Sequence, residues 1–256
     1  MAKHLLRFLN TLVTLVVALA LLSAGAYSAY ALWDNNRVYA AAENVQADML
    51  KLKPTLNADG TEDEASFAEL RTINPDVCAW LTLDNTKIDY PVLQGEDNLD
   101  YVNTDVYGNF ALAGSIFLDA SNDSRFNDTY NLLYGHHMDG SRMFGDLDLY
   151  KEKHFFEENT TGVLMMPGKA YNLEIFACLV VTASEENIFE PGRWQDDIDD
   201  LLDFASENAL LQHADVIAAA RAEDSPKVLA MSTCSTEFTD ARTILLALMH
   251  PIERLK

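Results

Sequence analysis

Residues 8–33 carry no charged side chain and are mostly Leu, Val and Ala, with Lys3 and Arg7 just before them and Asp34 just after. Wound into a helix at about 1.5 Å per residue, such a run spans roughly 39 Å, more than the ~30 Å hydrocarbon core of a bilayer. It reads as a membrane anchor, which leaves the residues after it to build any globular part. A cleaved secretory signal is the competing reading, because Ala29-Tyr30-Ala31 resembles a small-residue cleavage site. The apolar run is longer than the roughly 7–15 residues of a signal's apolar core, which favours the anchor. Cations before the span and an acid after it leave the N-terminus cytoplasmic and the rest of the chain outside the cell membrane. Both readings export the remainder of the chain.

A chain of 256 residues with 49% hydrophobic content can bury one sizeable core beyond the anchor. Its net charge of −22 argues against nucleic acid as a partner, since phosphate binding needs cations. The acidic runs Glu62-Asp63-Glu64 and Asp196-Asp197 lack the alternating spacing of a calcium loop and read as a hydrated surface. Cys78, Cys178 and Cys234 are an odd number, so in an oxidising compartment at least one stays unpaired. Cys78 and Cys178 sit in apolar, strand-like contexts, where cysteine behaves as a small buried hydrophobe. Cys234 instead ends an apolar run among Ser232, Thr233, Ser235 and Thr236, which is a polar rim.

Val38, Val45, Met49 and Leu52 fall at near-helical spacing, predicting an amphipathic helix over residues 35–53 that stops before Pro54. A loop comes next at residues 55–64, then a short helix through Phe67, Leu70 and Ile73 that Asn74-Pro75 ends. Strand patterns then take over at 77–83, 87–93, 114–119, 130–134, 162–166, 171–182, 227–233 and 242–249. Short helices are expected at 143–150 and 153–158. Between residues 195 and 212, Ile198, Leu201, Leu202, Ala205 and Ala209 repeat at helical spacing, so a helix is inserted before the strand that leads to Cys234. Many short strands with few helices make the chain mainly β and argue for a closed or nearly closed antiparallel barrel.

Two segments carry chemistry. Tyr134-Gly135-His136-His137 comes after an apolar strand, which sets a histidine at a strand end where it can titrate near neutral pH. Ser232-Thr233-Cys234 ends another strand, and Arg242 opens the next. If those two strands pair as a hairpin, Cys234 and Arg242 stand at the same end of the sheet. A thiolate attacking a carbonyl needs an acid for the departing amine and positive charge for the oxyanion, which histidine and arginine supply. Zinc binding by the adjacent histidines with Asp139 is the competing reading. Neighbours in an extended segment point to opposite faces, and no further ligand motif is present.

The combination of Tyr134-Gly135-His136, Ser232-Thr233-Cys234 and Arg242 resembles the sortase signature. The surrounding chain is similar to class B sortases in particular, through Asn74-Pro75-Asp76-Val77, Ile88-Asp89-Tyr90-Pro91-Val92, Asp97-Asn98, Gly114-Ser115-Ile116-Phe117-Leu118-Asp119 and Met143-Phe144-Gly145. The resemblance implies a closed eight-stranded sortase-type β-barrel with N-terminal helices and an inserted helix before the cysteine strand. It divides the chain into a tail and anchor (1–33), a helical linker (34–66) and a catalytic barrel (67–256). It casts Cys234 as nucleophile, His136 as acid/base and Arg242 as carbonyl stabiliser, with Asn98, Tyr134, Ser232 and Thr233 lining the substrate groove and no metal or cofactor. The implied activity is cleavage of an Asn-Pro-x-Thr or Leu-Pro-x-Thr type C-terminal sorting signal on secreted proteins, through a thioester, and their joining to a cell-wall amine of a Gram-positive envelope. Three alternatives stay open: a class B-like enzyme that joins pilin subunits, a catalytically silent surface-binding module, and a hydrolytic cysteine protease. No second apolar span comes after Arg242, which argues against the pilin-polymerising class C arrangement.

Overall fold

The structure, a computed structural model, describes residues 2–56, 64–195, 197–234 and 240–252, apart from the side chains of residues 64–66 and 234. The loop expected at 55–64, the runs Glu62-Asp63-Glu64 and Asp196-Asp197, and the Cys234 side chain therefore lie wholly or partly outside the described residues. Residues Met1–Ala41 make one compact unit and Ala42–Lys256 another. Helix α1 (Ala2–Leu50) is long and apolar enough to cross a membrane. A separate helix beginning near residue 35 is not found, because Asp34-Asn35-Asn36 holds no Gly or Pro to interrupt the hydrogen-bond ladder. The ladder runs on until Lys51 and Leu52 turn back to the carbonyls of Asp48 and Met49, short of Pro54.

Within the second unit, α2 (Glu64–Ile73) stops at Asn74-Pro75 as its sequence dictates, and β1 (Val77–Leu83) and β2 (Asp89–Leu93) form a hairpin. Then come β3 (Ile116–Leu118), β4 (Tyr130–Tyr134) and a small hairpin of β5 (His137–Met138) and β6 (Arg142–Met143). A 3-10 turn (Gly145–Lys151) and α3 (Lys153–Glu158) lead into β7 (Thr161–Met166) and β8 (Lys169–Thr182), a second hairpin. The chain continues through α4 (Glu186–Phe189), a 3-10 turn (Pro191–Trp194), α5 (Asp199–Asn208), β9 (Leu211–Gln212) and α6 (Ala214–Ala220) to the final pair, β10 (Val228–Cys234) and β11 (Ala241–Pro251).

The strands lie in the order β11-β10-β4-β3-β2-β1-β7-β8, and β11 also pairs with β8 from Ala241↔Thr182 to Pro251↔Tyr171, which closes an eight-stranded barrel. The closed eight-stranded barrel is the one expected, but its strands are not all antiparallel. The pairs β2–β3 and β4–β10 are parallel. Parallel neighbours need long crossovers, and the chain supplies them: residues 94–115 carry it back before β3, and everything from β5 to α6 intervenes between β4 and β10.

The helix expected over 195–212 is shorter, and a second one was missed. Leu211 and Gln212 leave helical geometry to pair with Cys178 and Ala177 of β8, so α5 ends at Asn208 and α6 starts afresh at Ala214. Likewise the helix expected at 143–150 begins two residues late, because Met143 is drawn into the β5–β6 hairpin at a φ of 50°. Leu201, Leu202 and Ala205 of α5, with Ile217 and Ala220 of α6, pack with Phe176, Ile244 and Leu246 of the barrel. A second cluster joins Met49, Phe67 and Leu70 to Val77, Trp80, Leu93 and Phe117. Cys78 and Cys178 are buried in β1 and β8, as their contexts foretold, and burial pushes the Cys78 thiol up to about 12.

Leu202 is fully buried, so Leu202→Ala leaves a cavity beneath α5. The expected loss is about 2–5 kcal/mol, read as a lower urea midpoint with an unchanged m-value.

Candidate active site

Strand β10 gathers the site. Cys234, its last residue, pairs with Arg242 near the start of β11, while Ser232 is level with Tyr134 of the parallel strand β4. Because β4 and β10 run in the same direction, their C-terminal ends lie at one end of the barrel. The Gly135 N–H continues the ladder by donating to the Ser232 carbonyl at 3.1 Å, which brings His136 to that same end. Glycine is needed there, since a Cβ on Gly135 would collide with Ile116 and the Phe144 ring. The backbone thus brings His136, nearly a hundred residues earlier in the chain, to the end of the barrel where Cys234 and Arg242 pair.

A groove of about 370 Å³ opens at this end. His136, Arg242 and all four residues expected on sequence grounds, Asn98, Tyr134, Ser232 and Thr233, line it. Sequence reasoning missed the rest of the wall. Val102, Ala183 and Phe189 had no motif to mark them, and Ser115 and Phe117 fall in the stretch 114–119, which resembles class B sortases without marking which of its side chains reach the groove. Phe117, Tyr134 and Phe189 form an aromatic face, with ring centroids 5.2 Å and 6.3 Å apart in successive pairs. The Thr233 hydroxyl is buried and has no hydrogen-bond partner among the described residues.

His136 Nε2 lies 2.8 Å from the Val102 carbonyl oxygen. A carbonyl only accepts, so Nε2 carries the proton, and Nδ1 is the nitrogen left to exchange one. Gly114 makes room for this contact. Its φ of +59° suits glycine, and a Cβ there would run into the carbonyls of Val102 and Tyr101.

No family model matches the sequence. Sortase B of Listeria monocytogenes is 30% identical over 230 residues, which cover 90% of this chain and 91% of that protein. Sortase B of Staphylococcus aureus is 28% identical over 174 residues, 68% of this chain and 69% of that one. Among solved structures, a class B sortase of Streptococcus pyogenes involved in pilus biogenesis matches with a TM-score of 0.64 at 34% identity, covering 72% of this chain and 97% of that chain. The chain belongs to the class B sortases. Its barrel is therefore the sortase fold, and it belongs to an enzyme family of cysteine transpeptidases.

In this sortase the neighbours of His136 and Arg242 are latched together. The Asp148 carboxylate accepts from His137 Nε2 at 3.1 Å on one oxygen, and on the other from Thr243 Oγ1 at 3.1 Å and Lys151 Nζ at 2.8 Å. His137 directly follows His136, and Thr243 directly follows Arg242. The hydrogen bond to Asp148 raises the His137 imidazole above its usual value, with burial opposing and the Asp148 charge assisting. Burial works against ionisation of Asp148, but the hydrogen bonds and charges of His137 and Lys151 outweigh it and hold the carboxyl at about 2.

The signs of these shifts set a pH window. The stability gained by Asp148 is present above about pH 4 and is lost as pH falls towards 2. The gain from His137 is complete below its unfolded value of about 6.5 and is lost as pH rises through its higher folded value. The unfolding free energy of the wild type minus that of His137→Gln is therefore expected to shrink as pH rises from about 6 to 9. A difference that stays flat over that range contradicts the latch.

Proposed function

We propose that this sortase is a membrane-anchored transpeptidase that cleaves a C-terminal sorting signal of secreted proteins and joins them to a cell-wall amine. The observation that carries the reading is the register of β10, with Cys234 opposite Arg242 and Ser232 level with Tyr134, which brings the end of β10 to the end of the barrel where His136 and Arg242 line a groove. Membership of the class B sortases supports it independently.

In this reading the Cys234 thiolate attacks the carbonyl carbon of the scissile amide, and the Arg242 guanidinium stabilises the oxyanion. Collapse breaks the C–N bond, and the proton from His136 Nδ1 leaves with the departing amine, so the acyl group remains as a thioester. An acceptor amine then attacks the thioester carbonyl and yields its proton to His136, and Cys234 departs as thiolate. The cycle balances with no redox change and needs neither metal nor cofactor. Asn98, Tyr134, Ser232 and Thr233 would hold the peptide.

The apolar part of α1 would serve as the anchor, with residues 1–33 as tail and span, 34–66 as linker and 67–256 as the catalytic part outside the cell. A pilin lysine as the acceptor is the second reading, favoured by the likeness to the Streptococcus pyogenes enzyme involved in pilus biogenesis.

Incubation with an Asn-Pro-x-Thr peptide and an amine is expected to give the amide product by mass spectrometry, with a thioester on Cys234 when the amine is withheld. Cys234→Ala should give neither. Free acid as the main product despite abundant amine would make the protein a hydrolase instead.

A further inference from the structure

Asp119 directly follows the apolar strand β3 and is only 4% exposed. It is not among the residues that line the groove, yet it holds two that do. Its Oδ2 accepts from Asn98 Nδ2 at 2.9 Å and from the Tyr134 hydroxyl at 2.9 Å. Its Oδ1 accepts from the Ser121 N–H at 2.9 Å and the Ser121 hydroxyl at 2.6 Å. The strand ladder fixes the carboxylate in turn, since the Asp119 N–H donates to the Leu132 carbonyl of β4 and the Asp119 carbonyl accepts from Gln94 Nε2.

A carboxylate can only accept, and that decides the polarity of both groove residues. The Asn98 carboxamide sits between an acceptor, Asp119, and a donor, the Ala120 N–H, which bonds to its Oδ1 at 2.7 Å. It therefore cannot flip, and its second Nδ2 hydrogen is its remaining donor. Burial, reinforced by the Asp119 charge, holds the Tyr134 phenol far above its usual titration range, so it stays protonated. Its single hydrogen goes to Asp119, which leaves an oxygen lone pair as its remaining capacity.

We propose that Asp119 is a positioning residue that presets the groove with one fixed donor, Asn98 Nδ2, and one fixed acceptor, Tyr134 Oη, to bind the carbonyl and N–H groups of an extended peptide main chain. This deepens the proposed function and rests on it for the identity of the bound peptide. The clamp itself does not depend on turnover. Asp119 acts through its two partners and touches no reacting atom.

Two measurements test this. In a 15N-edited spectrum of the wild type, one Asn98 carboxamide proton is expected downfield of its twin because it bonds to the carboxylate. In Asp119→Ala the two should move to ordinary amide positions. In steady-state kinetics with a peptide signal, Asp119→Ala is expected to lower kcat/KM about 10-fold, mostly through KM. Asn98→Ala/Asp119→Ala should be no more than about 2-fold worse than Asn98→Ala alone, because the two residues act as a unit. Asp119→Asn keeps the volume of the side chain and serves if the alanine variant does not fold. It is expected to show the same change in the Asn98 signals and a smaller rise in KM. An unaltered Asn98 carboxamide in the Asp119 variants overturns the clamp, as do losses that multiply in the double variant. A wild type that turns over no peptide yet shows the carboxamide shift refutes the functional reading and leaves the clamp standing.

Discussion

Strand β10 is held parallel by β4 on one side and antiparallel by β11 on the other, and both ladders must be in register for the site to exist. A slip of one residue in either would turn every side chain of β10 to the opposite face of the barrel, exchanging Val228, Ala230 and Ser232 with Leu229, Met231 and Thr233. The β8–β11 pairing removes the freedom to slip, because it runs the whole length of β11 and closes the ring. The proposed catalytic geometry would thus be inherited from barrel closure. The residues of the site need not search for one another once the strands have paired.

Around that frame the polar groups divide their hydrogen-bonding capacity in a definite way. The Val102 carbonyl accepts a hydrogen bond from His136 Nε2–H, which leaves Nδ1 for exchange, and Gly114 provides the space in which Val102 can do so. Asp148 ties the residues directly after His136 and Arg242. Asp119 takes one hydrogen from Asn98 and one from Tyr134. Each device uses an acceptor-only group to settle which atom of its partner stays available, which costs less order at the moment of binding than a mobile side chain would.

Much of this was legible in the sequence. The Pro75 stop and the apolar run ending at Cys234 marked the end of α2 and strand β10 within a residue or two. Tyr134, Ser232 and Thr233 lie on the groove because motif and strand end coincide there, while Asn98 reaches it from the segment after β2. What was not legible is long-range. Parallel pairing of β4 with β10 joins segments nearly a hundred residues apart and leaves no local period, so the barrel looked purely antiparallel. Leu211 and Gln212 left the helical pattern for an edge of β8 that only the folded barrel offers. Asp119 closes the stretch 114–119 that resembles class B sortases, but only its burial and its hydrogen bonds to Asn98 and Tyr134 single it out from the other acids of the chain.

Catalysis of the proposed kind requires coupling between the Cys234 sulfur and the His136 imidazole across the end of two parallel strands. The most direct measurement is the rate at which a small neutral alkylating reagent modifies Cys234, followed from pH 5 to 10 in the wild type and in His136→Ala. The wild-type profile is expected to depart from a single thiol titration, and the His136→Ala profile to revert to one. Superimposable profiles would mean that the imidazole does not sense the thiol, and would contradict the convergence on which everything else is built.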